Sequence, residues 1–379
     1  MTGAEPADVA AAFRERFGAP AQAVVRAPGR VNLIGEHTDY NEGFVLPMAI
    51  DREVRMAVRP RTDGRVVVRA LDVGEEAEFE VDAPTKGRGW SEYLKGVAWS
   101  LAWAGIELRG FEAAFSGNVP RGSGLSSSAA LELAVARAFH VSSSFEWEPE
   151  RIARICQRAE NEWLGVRSGI MDQLASAAGQ EGHALLIDCR SLAVDPVPLP
   201  SGSAVLVLDT STRRALVGSD YNERREQCEE AARRLSVASL RELTRERLEA
   251  QAHLLTPLLL RRVRHVVAEN DRTLAAAAAM RAGDASRLGE LMNESHISLR
   301  DDFEVSSKAL DAMVSCARSQ PGCLGARLTG AGFAGCAVAL VTAEAASAVA
   351  AAVGDCYRTA SGREPQIYLC RAAAGAGLI

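Results

Sequence analysis

The segment from residue 29 to residue 43, GRVNLIGEHTDYNEG, concentrates groups that could do chemistry. It contains Arg30, Glu36, His37 and Asp39 between glycines, and short apolar runs flank it on both sides. Core strands lack this density of charge, and solvated helix faces lack the glycines. The pattern indicates a loop whose polar groups serve a site. We expect Glu42, near its end, to be an exposed turn residue.

A second stretch, PRGSGLSSSAALELAVARAF, has the features of a phosphate site. Gly122 and Gly124 allow the main chain to approach a ligand closely. Ser126, Ser127 and Ser128 then begin a predicted helix, where the first amides lack intrahelical acceptors and the helix dipole is positive. Amides and hydroxyls together suit a phosphate group. An ordinary serine cap is the alternative, but the whole run favours phosphate.

The positions of the lysines limit which type of nucleotide-binding loop the chain can contain. The chain has only Lys86, Lys95 and Lys308, and none follows a glycine, which excludes a Walker A loop. The V-A-I-K, H-R-D and D-F-G motifs of protein kinases are also missing from the sequence. The sequence therefore predicts a serine-based nucleotide loop of another kind.

Two further stretches allow either a functional or a packing role. AENEWLGVRSGIMDQLASAAG places Glu160 on a predicted helix and Asp172 near the start of the next one. An acid at that position could simply complement the helix dipole. ARLTGAGFAGCAVAL contains Gly330, Gly332 and Gly335, a spacing typical of a tight loop that a main chain or a ligand approaches.

Composition excludes some classes of function. The net charge of −6 argues against general nucleic-acid or membrane-surface binding, and no run approaches the ~20 apolar residues of a membrane span. The first residues predict an amphipathic helix rather than a signal peptide. Eight cysteines include no C-x-x-C pair, so no zinc or redox motif is indicated. Disulfides between some of them are the alternative, but we expect buried free thiols in a cytoplasmic protein.

The order of elements predicts an α+β fold. The alternation of apolar and polar residues over 23–81 predicts mainly strands, whereas long helices are predicted for most of the second half. Strands and helices do not alternate regularly as in a βαβ fold. A Pro-containing segment near 175–200 suggests a boundary. We predict an N-terminal domain over 1–185, which the tail 370–379 could join, and a C-terminal domain over 186–369. Helices are predicted over 91–105, 220–235, roughly 258–282, 284–297 and 305–319, with later strands in AVLVLDTS and PQIYLC.

The four stretches together resemble the galactokinases, a family of the GHMP small-molecule kinase superfamily. The segment 29–43 looks like the galactokinase signature, PRGSGLSSSAA like the superfamily nucleotide loop, GIMDQ like the catalytic-acid segment and RLTGAGFAGC like the third glycine motif. SDYNERREQCEEA and MNESHISLRDDFEVS match between them, so the resemblance spans nearly the whole chain. Arg167 and Ser168 replace a Pro-Cys pair common in relatives, and Ala334 replaces a glycine.

The resemblance implies a two-domain GHMP kinase fold, with a β-rich N-terminal domain, a helix-rich C-terminal domain and the active site in the cleft between them. It implies ATP-dependent phosphorylation of the anomeric C1 hydroxyl of α-D-galactose with Mg²⁺, the entry step of galactose catabolism. By similarity, Asp172 would accept or orient the hydroxyl proton, and Arg30 would keep Asp172 charged. The other implied residues are Glu36, His37, Asp39, Gly169 and Tyr221 for sugar; Trp90, Gly122, Gly124, Leu125, Ser126, Ser127 and Ser128 for ATP; and Ser128 and Glu160 for Mg²⁺.

Three alternatives remain open at this stage. The chain could be a related sugar-1-kinase acting on arabinose, galacturonate or N-acetylgalactosamine, although HTDYNEGFVLP favours galactose. A non-catalytic galactose sensor is disfavoured because Ala129, Ala130 and Asp172 are all present. A mevalonate- or homoserine-type kinase would lack the GEHTDY loop. We expect galactose and ATP as the binding partners, no nucleic-acid or membrane partner, and a monomer or weak homodimer.

Overall fold

A computed structural model describes residues 7–213 and 217–379, without the side chains of 217–219. The described helices are α1 Val9–Phe17, α2 Ser91–Trp103, α3 Ser127–Ser143, α4 Pro149–Arg158, α5 Met171–Ala178, α6 Val217–Arg234, α7 Arg245–Gln251, α8 Pro257–Arg281, α9 Ala285–Asp301, α10 Lys308–Arg318 and α11 Ala346–Ser361. The described strands are β1 Ala23–Asn32, β2 Phe44–Val45, β3 Pro47–Pro60, β4 Arg65–Ala70, β5 Glu75–Glu80, β6 Phe111–Gly117, β7 His183–Asp188, β8 Val194–Pro198, β9 Ser203–Asp209, β10 Cys323–Leu328, β11 Cys336–Thr342, β12 Gln366–Cys370 and β13 Gly377–Leu378.

The first sheet has six strands in the order β13-β1-β3-β6-β4-β5. Its pairings are antiparallel except for β4 with β6. Helices α3 and α5 pack on β1 and β3, and their apolar residues build the main core with the strands. Helix α1 covers the opposite face through Val9 and Phe13. The ladder between β1 and β3 shifts register between Pro28 and Arg30, immediately before the first charged residue of the signature segment.

The second sheet is antiparallel, in the order β10-β11-β9-β12. Helices α10 and α11 pack against it and against one another. Cys316 of α10 and Cys356 of α11 form a disulfide. The prediction of eight free thiols is therefore wrong for these two: antiparallel helix packing brings their Cα atoms to 5.7 Å, a proximity that spacing in sequence does not reveal. The other six cysteines are free.

A third, small sheet joins β2, β7 and β8. The predicted boundary between the two domains, after residue 185, falls inside strand β7. This boundary stays a prediction. The tail returns to the first sheet, where Leu378 pairs with Val25. The α+β class is confirmed, and helices occur in all five predicted ranges. No helix in the described ranges is long and apolar enough to cross a membrane.

Candidate active site

An ion pair between a buried arginine and a partly exposed aspartate joins β1 to the start of α5. Arg30 donates from Nε to Oδ1 of Asp172 at 2.8 Å, and its Nη2 lies 2.6 Å from the same oxygen. Nη1 donates to the main-chain oxygen of Gly124 at 2.5 Å. Burial by itself would lower the pKa of Arg30, but the carboxylates of Asp172 and Glu36 outweigh it and raise that pKa. Arg30, only 4% exposed, is therefore charged where it meets Asp172.

Ser126 holds the other oxygen of Asp172. Ser126 precedes α3 with φ at +59°, and its side chain makes no capping bond to the helix. Its Oγ instead donates to Oδ2 of Asp172 at 2.5 Å. Ser126 therefore does not form the ordinary serine cap that was the alternative from the sequence. Both carboxylate oxygens of Asp172 are fixed, one by a cation and one by a hydroxyl.

The third glycine motif packs directly on the glycine-serine loop. A Cβ on Gly330 would lie 2.9 Å from the main-chain oxygen of Gly124, and one on Gly335 would lie 2.5 Å from that of Ser123. Any side chain there would push the loop away from its place. Leu125 is fully buried, and its main-chain oxygen accepts from the Arg30 amide at 3.1 Å. The side chain of Leu125 is therefore part of the core, and its predicted contact with ATP stays a prediction.

A cavity of about 280 Å³ opens beside this loop. Gly122, Ser127 and Ser128 line one part of it, and the rings of Trp90 and Tyr93 line another. The structure thus brings Trp90 into the same cavity as the predicted phosphate loop. A phosphate-type surface of serines next to aromatic rings has the composition that a nucleotide requires.

The pair predicted for Mg²⁺ faces the same region. Oγ of Ser128 lies 3.2 Å from Oε1 of Glu160, which sits in a π-helical turn, Ala159–Leu164, at the end of α4. Such turns often occur at functional sites. No group of three or more His, Cys, Asp or Glu residues suited to a metal occurs among the described residues. One hydroxyl and one carboxylate nevertheless fit Mg²⁺, which keeps waters and phosphate oxygens as its other ligands.

Two residues that the sequence analysis did not identify, Gln173 and Glu132, lie close to Glu160. Gln173, next to Asp172, donates from Nε2 to Glu160 at 2.8 Å and to Glu132 at 3.1 Å. Burial, and then the nearby charge of Glu160, raise the pKa of Glu132 well above its usual range. Because Gln173 lies 41 residues after Glu132 in the sequence, spacing gave no signal for this contact.

The carboxylate of Glu36 is buried between two parts of the chain. Its Oε1 accepts from the amide of Gly330 at 2.7 Å and from Oγ1 of Thr329 at 3.2 Å. Nη1 of Arg327 lies 3.5 Å from the same oxygen. Burial raises the pKa of Glu36, and the charges of Arg327 and Arg30 oppose that rise. One carboxylate therefore links the loop after β1 to the loop after β10.

His37 is held on both ring nitrogens. Nε2 lies 3.2 Å from the main-chain oxygen of Ala331, and Nδ1 lies 2.9 Å from the hydroxyl of Tyr40. A carbonyl can only accept, so Nε2 carries the proton and Nδ1 accepts from Tyr40. Burial is the main cause that lowers the pKa of His37 to about 3. The neutral ring shapes the loop through these partners, and its direct contact with a sugar stays a prediction.

Asp39 faces the segment before α5. A Cβ on Gly169 would lie 1.9 Å from Oδ2 of Asp39, so the two residues are in direct contact. Burial and then the charge of Asp172 raise the pKa of Asp39 to about 7. Tyr221 of α6 shares a hydrogen bond with the main chain of Gly169, and its ring lies 5.6 Å from that of His37. The five predicted sugar-binding residues thus lie close to one another and to Asp172.

Glu42 lies at the rim of this region. It is exposed, as expected for a turn residue, and pairs with Arg190 at 2.9 Å. It takes no part in the buried cluster.

A stripe of polar residues on α8 was missed from the sequence. Oδ1 of Asn270 accepts from the Phe44 amide at 2.9 Å, and His265 and Glu269 contact the main chain of Glu36. His265 and Glu269 are four residues apart, so they share one helix face. Their signal was this spacing of polar residues in an otherwise apolar part of the helix.

The fold and the site together define a small-molecule kinase of the GHMP superfamily. The family described as GHMP kinases N terminal domain matches residues 92–180, and GHMP kinases C terminal matches 276–359. The galactokinase galactose-binding signature matches residues 11–60. Galactokinases of Chloroflexus aurantiacus and a Roseiflexus species are each 48% identical, over 97% of this chain and 96% and 95% of their own lengths. The chain belongs to the galactokinase family.

Solved structures agree with this assignment. A Lactococcus lactis galactokinase, described as complexed with galactose, superposes with a TM-score of 0.93 at 38% identity, covering 97% of this chain and 98% of that one. The mevalonate kinase of Methanococcus jannaschii has a TM-score of 0.65 at 18% identity, covering 92% of this chain and 98% of its own. That second similarity shows only a shared fold. The GHMP kinase fold predicted from the sequence is confirmed, and a mevalonate- or homoserine-type kinase is excluded.

The contact between Gly169 and Asp39 gives the first prediction. A methyl group at Gly169 must displace the carboxylate of Asp39, because the two would otherwise overlap. A displacement of roughly 1 Å in an active site can cost about 100-fold in rate. We expect Gly169→Ala to lower kcat/KM for the sugar by about 100-fold and to leave ATP affinity unchanged, measured by steady-state kinetics and calorimetry.

Gly354→Ala on α11 is the matched control, because its nearest neighbour, a side-chain carbon of Ile367, would lie 3.7 Å from the new methyl group. Near-normal sugar kinetics in Gly169→Ala would contradict the placement of Asp39 in the site.

Proposed function

We propose that the chain transfers the γ-phosphoryl group of ATP to the anomeric C1 hydroxyl of α-D-galactose, giving galactose 1-phosphate and ADP. One observation carries the proposal: Asp172 is fixed between Arg30 and Ser126 where the nucleotide loop meets the sugar-type loop. The galactokinase relatives support the choice of sugar. The Lactococcus protein supports it further, because it is described in complex with galactose.

Asp39 and Glu36 supply the sugar recognition in this proposal. A carboxylate can accept two hydrogen bonds from neighbouring hydroxyls, so Asp39 can read the relative orientation of two sugar hydroxyls. A site built to pair one hydroxyl leaves its own groups unpaired with an epimer. Gly169, without a side chain, lets the sugar and Asp39 meet. Tyr221 closes the same space through its hydrogen bond to Gly169.

Asp172 acts on the C1 hydroxyl. As the oxygen of that hydroxyl bonds to the γ-phosphorus, the bond from phosphorus to the leaving ADP oxygen breaks, and the hydroxyl proton passes to Asp172. Phosphoryl transfer needs mainly positioning and charge stabilisation. Arg30 provides both, since it holds Asp172 and adds positive charge beside the transferring group. Ser126 keeps the carboxylate from rotating.

The nucleotide occupies the cavity between Trp90 and the serines. The amides at the start of α3, with Ser127 and Ser128, bind its phosphates. Ser128 and Glu160 would hold Mg²⁺, which when bound neutralises charge on the β- and γ-phosphate oxygens. Gln173 and Ser168 fix the second oxygen of Glu160, at 2.8 Å and 2.6 Å.

A substrate panel tests the proposed activity. ADP release by the purified protein should be fastest with galactose and at least about 100-fold slower with glucose, because an unpaired polar group rejects the epimer. Arabinose, galacturonate and N-acetylgalactosamine complete the panel. Faster turnover of any of these would overturn the choice of substrate. Galactose and ATP binding without product would instead indicate a sensor.

Removing the charge of Asp172 tests its role. Asp172→Asn retains the shape of the side chain but cannot accept the proton, and general-base effects typically contribute about 10²–10⁴-fold. We expect kcat to fall by at least about 100-fold while calorimetry shows ATP affinity within twofold of the parent. Asp195→Asn, an exposed substitution, is the control. Retention of most activity in Asp172→Asn would refute the assignment.

Galactose affinity should depend on pH through Asp39. Its pKa is about 7, and only the ionised form accepts hydrogen bonds from two hydroxyls at both oxygens. Binding therefore favours ionisation, so affinity rises with pH up to about 7 and levels off above it. Between pH 6 and pH 8 we expect galactose Kd to fall about tenfold. Calorimetry measures this, and Asp39→Asn should abolish the dependence. A flat profile in the parent enzyme would contradict it.

A further inference from the structure

A carboxylate on α8 holds the main chain of the sugar loop, which we define as residues 35–39. Glu269 is fully buried. Its Oε1 accepts from the amide of Gly35 at 3.0 Å and from that of Glu36 at 3.4 Å. Amides that donate to a charged acceptor form stronger hydrogen bonds than neutral pairs do. The start of the sugar loop is therefore anchored to a helix more than two hundred residues away in the sequence.

Glu269 is charged because its neighbours compensate for burial. Arg272 donates to Oε2 at 2.8 Å, and Ser295 of α9 donates to Oε1 at 2.6 Å. Nη2 of Arg327 lies 3.9 Å from Oε1. Burial by itself would raise the pKa of Glu269, but the charges of Arg272 and Arg327 and the hydrogen bond from Ser295 outweigh it and hold that pKa at about 2. The acceptor under the sugar loop is thus an anion at any working pH.

Arg327 extends this anchoring from the main chain to the side chain of Glu36. It is fully buried, and its Nη1 lies 3.5 Å from Oε1 of Glu36 and donates to the main-chain oxygen of Asn32 at 3.3 Å. Nε and Nη2 of Arg327 have no hydrogen-bond partner within the described ranges. Its position between two carboxylates is therefore set largely by charge. Loss of either carboxylate would shift the guanidinium toward the other.

The carbonyl of Glu36 is fixed as well. Nε2 of His265 donates to it at 3.0 Å, and Nδ1 accepts from Ser298 at 2.9 Å. Burial is the main cause that lowers the pKa of His265 to about 4, so the ring is neutral and this proton pattern is the stable one. The amide, carbonyl and carboxylate of Glu36 are all held from outside its own loop.

We propose that Glu269 is a positioning residue for galactose recognition, which acts by fixing the main chain of Gly35 and Glu36 and, through Arg327, the direction of the Glu36 carboxylate. The inference rests on the proposed function, because it takes Glu36 as a ligand of the sugar. Glu269 has no contact with the nucleotide loop or with the Ser128 and Glu160 pair. Substitution of Glu269 should therefore change the affinity for the sugar and leave the affinity for ATP unchanged.

The test is Glu269→Gln in the full chain. The amide oxygen can still accept from the loop, but the charge that strengthens those bonds and balances Arg327 is lost. Hydrogen bonds to charged groups are the stronger ones, and their loss corresponds to about tenfold or more in binding. We expect galactose KM and Kd to rise about tenfold, with kcat and ATP KM within about threefold of the parent. Glu290→Gln, an exposed neutralisation on α9, is the matched control and should change neither.

A double-mutant cycle separates positioning from a general structural effect. If Glu269 acts through Glu36, adding Glu269→Gln to Glu36→Gln should weaken galactose binding by less than about threefold further. Independent, multiplicative effects would overturn the proposal. So would equal losses of galactose and ATP affinity in Glu269→Gln, which would indicate a merely structural role.

Ser295→Ala provides a second route if Glu269→Gln does not fold. It removes only the hydroxyl that donates to Glu269, and galactose KM should rise about two- to fivefold with ATP KM unchanged. An unchanged galactose KM would refute the proposal. The activity of the parent enzyme separates failure of the role of Glu269 from failure of the proposed function. If the parent turns over galactose and the variants do not shift galactose affinity, only the role of Glu269 fails. If the parent does not phosphorylate galactose, the proposed function fails.

Discussion

The structure depends on pairing the buried guanidinium of Arg30 with the partly exposed carboxylate of Asp172. Removal of the carboxylate would leave a buried positive charge uncompensated, which destabilises a fold. The pairing of Arg30 with Asp172 therefore constrains everything around it. The register shift before Arg30 in β1, the loop oxygen at Gly124 and the start of α5 all meet at this pair. Its two residues lie 142 positions apart in the chain.

The region predicted to bind the sugar also contains paired opposite charges, in a longer series. Arg272, Glu269, Arg327 and Glu36 alternate in sign from α8 to the sugar loop. Alternation lets several charges be buried together, since each has opposite neighbours. Asp39 is the exception, because burial and then the like charge of Asp172 raise its pKa to about 7. The least compensated acid is thus one of the residues predicted to bind the sugar.

The sequence predicted the parts of the site that are local. The signature segment and the serine run each lie within fifteen to twenty residues, so their composition alone indicates function. The α+β class also followed from the periodicity of strands and helices. Some residues whose contacts are with distant parts of the chain were not found: Glu269 and Arg327 contact residues 35 and 36 across the fold, and Gln173 joins Glu160 to Glu132, an acid that the sequence analysis did not identify. Spacing likewise could not pair Cys316 with Cys356. Even Ser126, which was identified, uses its hydroxyl for Asp172 and not for the helix cap.

A crystal structure of the enzyme with galactose and an unreactive ATP analogue would test the central claim most directly. The claim is that Asp172, fixed by Arg30 and Ser126, faces the reacting hydroxyl. The anomeric oxygen should lie within about 3 Å of the Asp172 carboxylate, on the side facing the γ-phosphate, with Asp39 on other hydroxyls of the same sugar. A different hydroxyl at Asp172, or a sugar bound away from the Glu36 and Asp39 loop, would contradict the account.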